Sequence, residues 1–192
     1  MKYLKMLGLA AVAAMALMAV VGASTAAADE ICTSSSCTTT ISTIEASQSG
    51  TGVLETTGGT ELISCKAGDI HIKVTKQGVG VKTIEGTVET LKFTECTGTV
   101  TTIKPGTVTG TVAGAEAGTF TSVGAEVTTG ILGTTCTFGT GAGTDLGTTA
   151  NTGLTVNTIV KKTAGGFLCP AEARWTASFK ITNHSTVAWV SN

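Results

Sequence analysis

Charge is scarce in this chain. Only 13% of its 192 residues are Asp, Glu, Lys or Arg and the formal net charge is −1, where an average protein carries roughly a quarter. The twelve basic residues are scattered, which excludes the basic stripe that nucleic acid demands and a polybasic membrane patch. Aromatic residues make up 4%, so the flat stacking surface of a conventional carbohydrate site is missing. Two histidines and the lack of any Cys-x-x-Cys pair remove the usual zinc-ligand spacing. With only two prolines, neither in residues 33–43, the Ser/Thr-rich stretch there lacks the proline of a mucin-like stalk. Disorder is excluded too, because the chain is 42% hydrophobic and β-branched residues recur from end to end.

What is present begins with an address. Lys2 and Lys5 precede an apolar run at 7–21, and Ala26, Ala27 and Ala28 form a small-residue cleavage pattern before Asp29. This reads as a helical secretory signal peptide over 1–28. The run is short of the ~20 residues of a membrane span, and Cys32 is too far from the alanines to be a lipoprotein acceptor. Cleavage leaves 164 residues and removes two lysines, moving the net charge from −1 to −3.

Cys32, Cys37, Cys65, Cys96, Cys136 and Cys169 all lie in the exported part. An even count in an oxidising compartment reads as disulfides, and six cysteines allow 15 pairings among which sequence does not select. Sequential pairing is the expectation, because Cys32 and Cys37 are five apart and the other four define two intervals of similar size. Closing 65–96 or 136–169 stabilises by about 3–4 kcal/mol each in the loop-entropy description. No metal and no cofactor is expected.

Alternation with period two is clearest at Ile70, Ile72 and Val74, and again over 173–182, where Trp175, Phe179 and Ile181 share one face and Arg174 and Lys180 the other. Turn signals at Gly58-Gly59, Gly78, Pro105-Gly106, 139–143, Gly165-Gly166 and Asn183 cut the chain into short strands. This predicts an all-β fold, an antiparallel β-sandwich or partly open barrel with disulfides. The expected layout is a Ser/Thr-rich tail at 29–50 followed by a single β domain at 51–192. Trp175 is expected in the core, and Trp189 either in the core of the last strand or as an exposed contact. The 40 threonines suit exposed strand faces, where the hydroxyl keeps the surface wet without charge. An ice-binding array needs a fixed repeat, and none runs through the chain.

Chemistry is thin. His71 falls on the polar face of its strand and His184 in a turn, and no Gly-x-Ser-x-Gly elbow accompanies Asp29, Asp69 or Asp145. The glycine run at 139–145 lacks the Lys-Ser/Thr ending of a phosphate loop and offers one carboxylate to calcium; a flexible hairpin loop is expected there. No enzyme is predicted.

The stretches 59–65, 91–98 and 166–170, with Trp175, Thr176, Ala177, Ser178 and Phe179, resemble a large group of exported Thr/Gly-rich bacterial proteins of unknown function. They are also distantly similar to the PraB family, described as activators of alkane oxidation and associated with biofilm matrix. The resemblance implies an extracellular β-sandwich without readable catalysis, and adds weight to pairing Cys65 with Cys96 and Cys136 with Cys169.

Two roles follow as expectations for a secreted or cell-surface protein that meets no nucleic acid and, once cleaved, no membrane. The first is a structural or interaction protein, adhesive or matrix-forming, associating with itself or surface partners by strand pairing, with residues 38–44 as candidate donor strand. The alternative is an extracellular binding module for a small apolar ligand. Intact-mass measurement of the exported protein is expected to place its first residue at Asp29 and to find no free thiol; a product retaining 1–28 with six thiols contradicts both expectations.

Overall fold

A computed structural model describes residues 28–114, 117–131, 133–150 and 152–191. Apart from Ala28, the expected signal peptide lies outside the described residues. The strands are β1 (Ala28–Cys32), β2 (Thr43–Gln48), β3 (Gly52–Thr56), β4 (Glu61–Lys76), β5 (Gly78–Val79), β6 (Ile84–Cys96), β7 (Val100–Lys104), β8 (Thr107–Gly114), β9 (Ala117–Val123), β10 (Glu126–Ile131), β11 (Thr134–Gly139), β12 (Thr144–Ala150), β13 (Gly153–Ala164), β14 (Glu172–Ile181) and β15 (Ala188–Ser191). Among the described residues the fold is all-β and antiparallel, as the alternation predicts, and it closes into an eight-stranded barrel with additional strands.

The ring runs β3, β4, β6, β8, β9, β12, β13, β14 and back to β3. The β3 position is shared. β2 pairs with β14 through Ala46, Ser47 and Gln48 and with β4 from Thr43 to Ser47, whereas β3 pairs with the other halves of the same two strands. The two strands therefore lie end to end as one interrupted stave. At the interruption, the Ser49 amide still donates to the Ser178 carbonyl at 2.8 Å.

Residues 29–50, expected as a tail, thus belong to the fold. Ile31, Ile41, Ile44 and Ala46 are all buried in the main core cluster, and burying them outweighs the polar character of the intervening Ser and Thr. The proposed donor segment 38–44 is likewise used within the chain: Thr40 bridges to Cys32 and β2 begins at Thr43.

Inward positions follow the pleat until bulges shift them. On β6, Ile84, Gly86 and Val88 face in. The register passes from His71 opposite Thr90 to Ile72 opposite Val88, leaving Glu89 unpaired, so the inward set resumes at Leu91 and Phe93. A bulge changes parity in this way by opposing two residues to one.

Each end of the barrel is closed. At the end carrying Ile44, Ile84 and Ile181, the small sheet β15–β1–β5 forms a cap. Its Trp189, 4% exposed, lies on the backbone of Gly110 and Gly118. A Cβ at either glycine would stand 2.7 or 2.6 Å from the indole ring, so only glycine admits the tryptophan here. At the opposite end, β13 outlasts its pairing with β12 and takes up β11 through Lys161, Lys162 and Ala164; β10 and β7 follow as a cover. Beneath it Leu54, Ile63, Ile131, Phe138 and Val160 form a second core cluster. Trp175 packs against both clusters but is half-buried, because it faces an internal space.

The three disulfides are sequential. Cys32–Cys37 closes the loop after β1, with Cα atoms 5.1 Å apart; Cys65–Cys96 joins paired residues of β4 and β6 at 3.9 Å; and Cys136–Cys169 ties the cover to the β13–β14 connection at 5.6 Å. They are consistent with an extracellular protein.

Trp189→Ala is expected to lower unfolding free energy by about 3–5 kcal/mol, and replacing both Cys136 and Cys169 by Ala by about 3–4 kcal/mol. Denaturant unfolding of the two variants beside the parent protein checks both values.

Candidate functional site: a cavity inside the barrel

Eight antiparallel strands leave an interior just wide enough for side chains or for one small ligand. Here the side chains do not fill it. A cavity of about 110 Å³ runs from the barrel centre to the underside of the cover. Its wall is almost entirely carbon, including Ile72, Val88, Phe93, Phe120, Leu146 and Trp175. Phe93 and Phe179 meet the Trp175 ring edge-on, with centroids 5.8 and 6.5 Å away, which fixes the indole at the junction between barrel and cover.

Four polar side chains reach this wall: Gln48, Ser122, Thr129 and Thr140. Two of them are satisfied. The Ser122 and Thr140 hydroxyls are 3.2 Å apart, and Thr140 Oγ1 also accepts the Ala125 amide at 3.0 Å. The other two each leave an oxygen without a hydrogen-bond partner, Gln48 Oε1 and Thr129 Oγ1. Thr129 is 3% exposed, in β10 opposite Cys136 and Val100.

Gln48 is held in one orientation. Its Nε2 donates to the carbonyls of Gly50 (2.9 Å) and Cys65 (2.6 Å). Turning the amide over would set Oε1 against two carbonyl oxygens, so the carboxamide oxygen must point away from them. Space for it comes from Gly52 and Gly68, where a Cβ would stand 3.2 and 3.0 Å from Oε1.

Buried threonine elsewhere is used differently. Thr149 Oγ1 accepts the Gly118 amide at 3.1 Å, and the Thr158 hydroxyl donates to the Asp145 carbonyl at 2.6 Å, next to the bulge of β12. These hydroxyls satisfy backbone groups inside the fold. Thr137 pairs with Thr128 at 3.2 Å. Thr129 stands apart from this pattern.

The residues considered for chemistry lie elsewhere. His71 sits outside the barrel, 3.2 Å from Glu89 and 3.9 Å from Glu45. His184 Nε2 is 2.9 Å from the Thr43 carbonyl. Asp69 accepts the Ser47 hydroxyl and Asp145 that of Thr121. The glycine run expected as a hairpin loop instead links β11 to β12, two strands that flank β13 and do not pair with each other. Glu30 lies near Cys32 and Cys37, but the two sulfurs are joined.

Comparison with protein families, with curated proteins and with solved structures returns no match to the chain.

Thr129→Val removes an unpaired buried hydroxyl while keeping its shape. It is expected to raise unfolding free energy by about 1 kcal/mol, measured by urea denaturation.

Proposed function

We propose that the protein is an extracellular binding module that holds a small apolar molecule inside its barrel. The observation that carries this reading is the carbon-lined space of about 110 Å³ within the barrel. Leaving such a space empty costs contact energy on every lining side chain, and apolar cavities of about 150 Å³ stay dry and take up a single aromatic ring. The ligand is thus of the order of one ring or a short chain. A signal peptide at 1–28 and three disulfides support a site of action outside the cell.

A second reading, the structural or matrix role suggested by the resemblance to PraB-like exported proteins, draws support from the surface. β7 is the terminal strand of the cover and, among the described residues, pairs only with β10. Phe167 is 93% exposed in the connection held by Cys169. Both suit a partner that adds a strand or buries an aromatic side chain.

Toluene at ten times its Kd is expected to stabilise the protein by about 1.4 kcal/mol, a rise in Tm of about 3–6 °C. Val108→Phe, which fills the cavity, is expected to abolish that shift while preserving the β-sheet circular dichroism. A parent protein whose Tm ignores toluene, benzene and short alkanes alike would contradict the reading.

A further inference from the structure

The three disulfides are not equivalent. Cys136 and Cys169 are both buried, and Cys65 and Cys96 are opposed residues of the β4–β6 ladder. Cys37 instead lies half-buried in the loop after β1, where Ser35, Ser36, Thr38 and Thr39 around it are all exposed, while its partner Cys32 is fully buried. The bridge thus presents its Cys37 side to an outside thiol.

Two features of this loop favour the opened form. Glu30 Oε2 is 3.1 Å from Cys37 Sγ. A disulfide sulfur carries no proton, so the closed bridge sets two acceptors against each other, whereas a Cys37 thiol donates to the carboxylate. The contact becomes a hydrogen bond only on reduction. Cys37 also has φ +46°, a left-handed conformation that is costly for a residue with a side chain. It ends a turn closed by its own amide on the Ser34 carbonyl at 3.0 Å, and parting the sulfurs frees that turn to relax. The cap does not depend on the bridge. The Thr33 amide donates to the Thr39 carbonyl at 3.0 Å and the Ile41 amide to the Ile31 carbonyl at 2.7 Å, and the Gln77 carboxamide ties the Ile31 amide to the Ile41 carbonyl.

We propose that Cys32–Cys37 is a thiol–disulfide exchange site that takes two electrons from a dithiol. One thiolate of the dithiol attacks Cys37 Sγ and forms a mixed disulfide; the Cys32–Cys37 bond breaks, and Cys32 leaves as a thiolate that takes a proton from water. The second thiolate of the dithiol then attacks its own sulfur in the mixed disulfide. That closes the partner's disulfide and expels the Cys37 thiolate, which takes a proton from water and donates it in a hydrogen bond to Glu30. The dithiol is oxidised by two electrons and the bridge reduced by two. Exposed or strained disulfides are the ones suited to such exchange, and buried ones resist it. Glu30 is a positioning residue that acts on the equilibrium through the thiol it receives.

The test equilibrates the purified, oxidised protein in dithiothreitol redox buffers, alkylates the free thiols and maps them by peptide mass. Cys32 and Cys37 are expected to be labelled at potentials where the other four cysteines remain joined, with tryptophan fluorescence unchanged. Glu30→Ala is expected to move the exchange equilibrium about tenfold toward the disulfide, a fall in potential of ~30 mV. Opening of Cys65–Cys96 or Cys136–Cys169 before Cys32–Cys37, or together with it, overturns the proposal. So does a Glu30→Ala potential equal to that of the parent protein, and so does a tryptophan signal lost as the first bridge opens, which marks a structural staple. Should Glu30→Ala fail to fold, the order of opening in the parent protein decides.

Discussion

An eight-stranded barrel has a fixed girth, and that girth sets how much side-chain volume the interior must hold. This chain closes the ring with few large side chains available, since aromatics are 4% of its residues. The rest of the architecture answers that shortage. Trp189 is brought in from the cap to occupy one end, which in turn requires glycine at 110 and 118. Phe93, Trp175 and Phe179 interlock near the other end. Between them the supply of bulk runs out, and the cavity is what remains.

Much of the barrel was legible in the sequence because its most regular strands announce themselves. Alternation at 70–75 and 173–182 marks the C-terminal part of β4 and nearly all of β14, and Phe179 and Ile181 are buried as their spacing requires. Sequential cysteine pairing, an expectation among the 15 pairings that sequence leaves open, is the one the fold forms. What was hidden lies where pairing is non-local or interrupted. Ile31, Ile41 and Ile44 are spaced too irregularly to show a period, and their burial depends on β14 and β15 more than a hundred residues away. The unpaired Glu89 shifts the pattern of β6 in mid-strand, so its two halves look like separate weak signals.

The cavity's polar residues were illegible for a related reason. Gln48 and Thr129 resemble dozens of other polar positions in a chain with 40 threonines. Only closure shows that one carboxamide lies between two glycines with its oxygen bare, and that one hydroxyl among several buried ones goes unused. Threonine also proved to have two occupations. On the outer face it is the wetting residue that its abundance suggests, as where Thr111 and Thr119 pair across β8 and β9 at 2.7 Å. Inside, it satisfies backbone groups that a bulged ladder leaves exposed.

The cap has a bearing on how the molecule is assembled. Ile31 of β1 is opposite Trp189 of β15, so the earliest and latest strands meet, and the tryptophan they position belongs to the core itself. Bringing together segments so distant along the chain is entropically expensive and slow. A ribosome or an export channel that delivers the polypeptide from its amino end hands over the plug last. Until then the ring is a tube open at that end, its greasy lining reachable from outside.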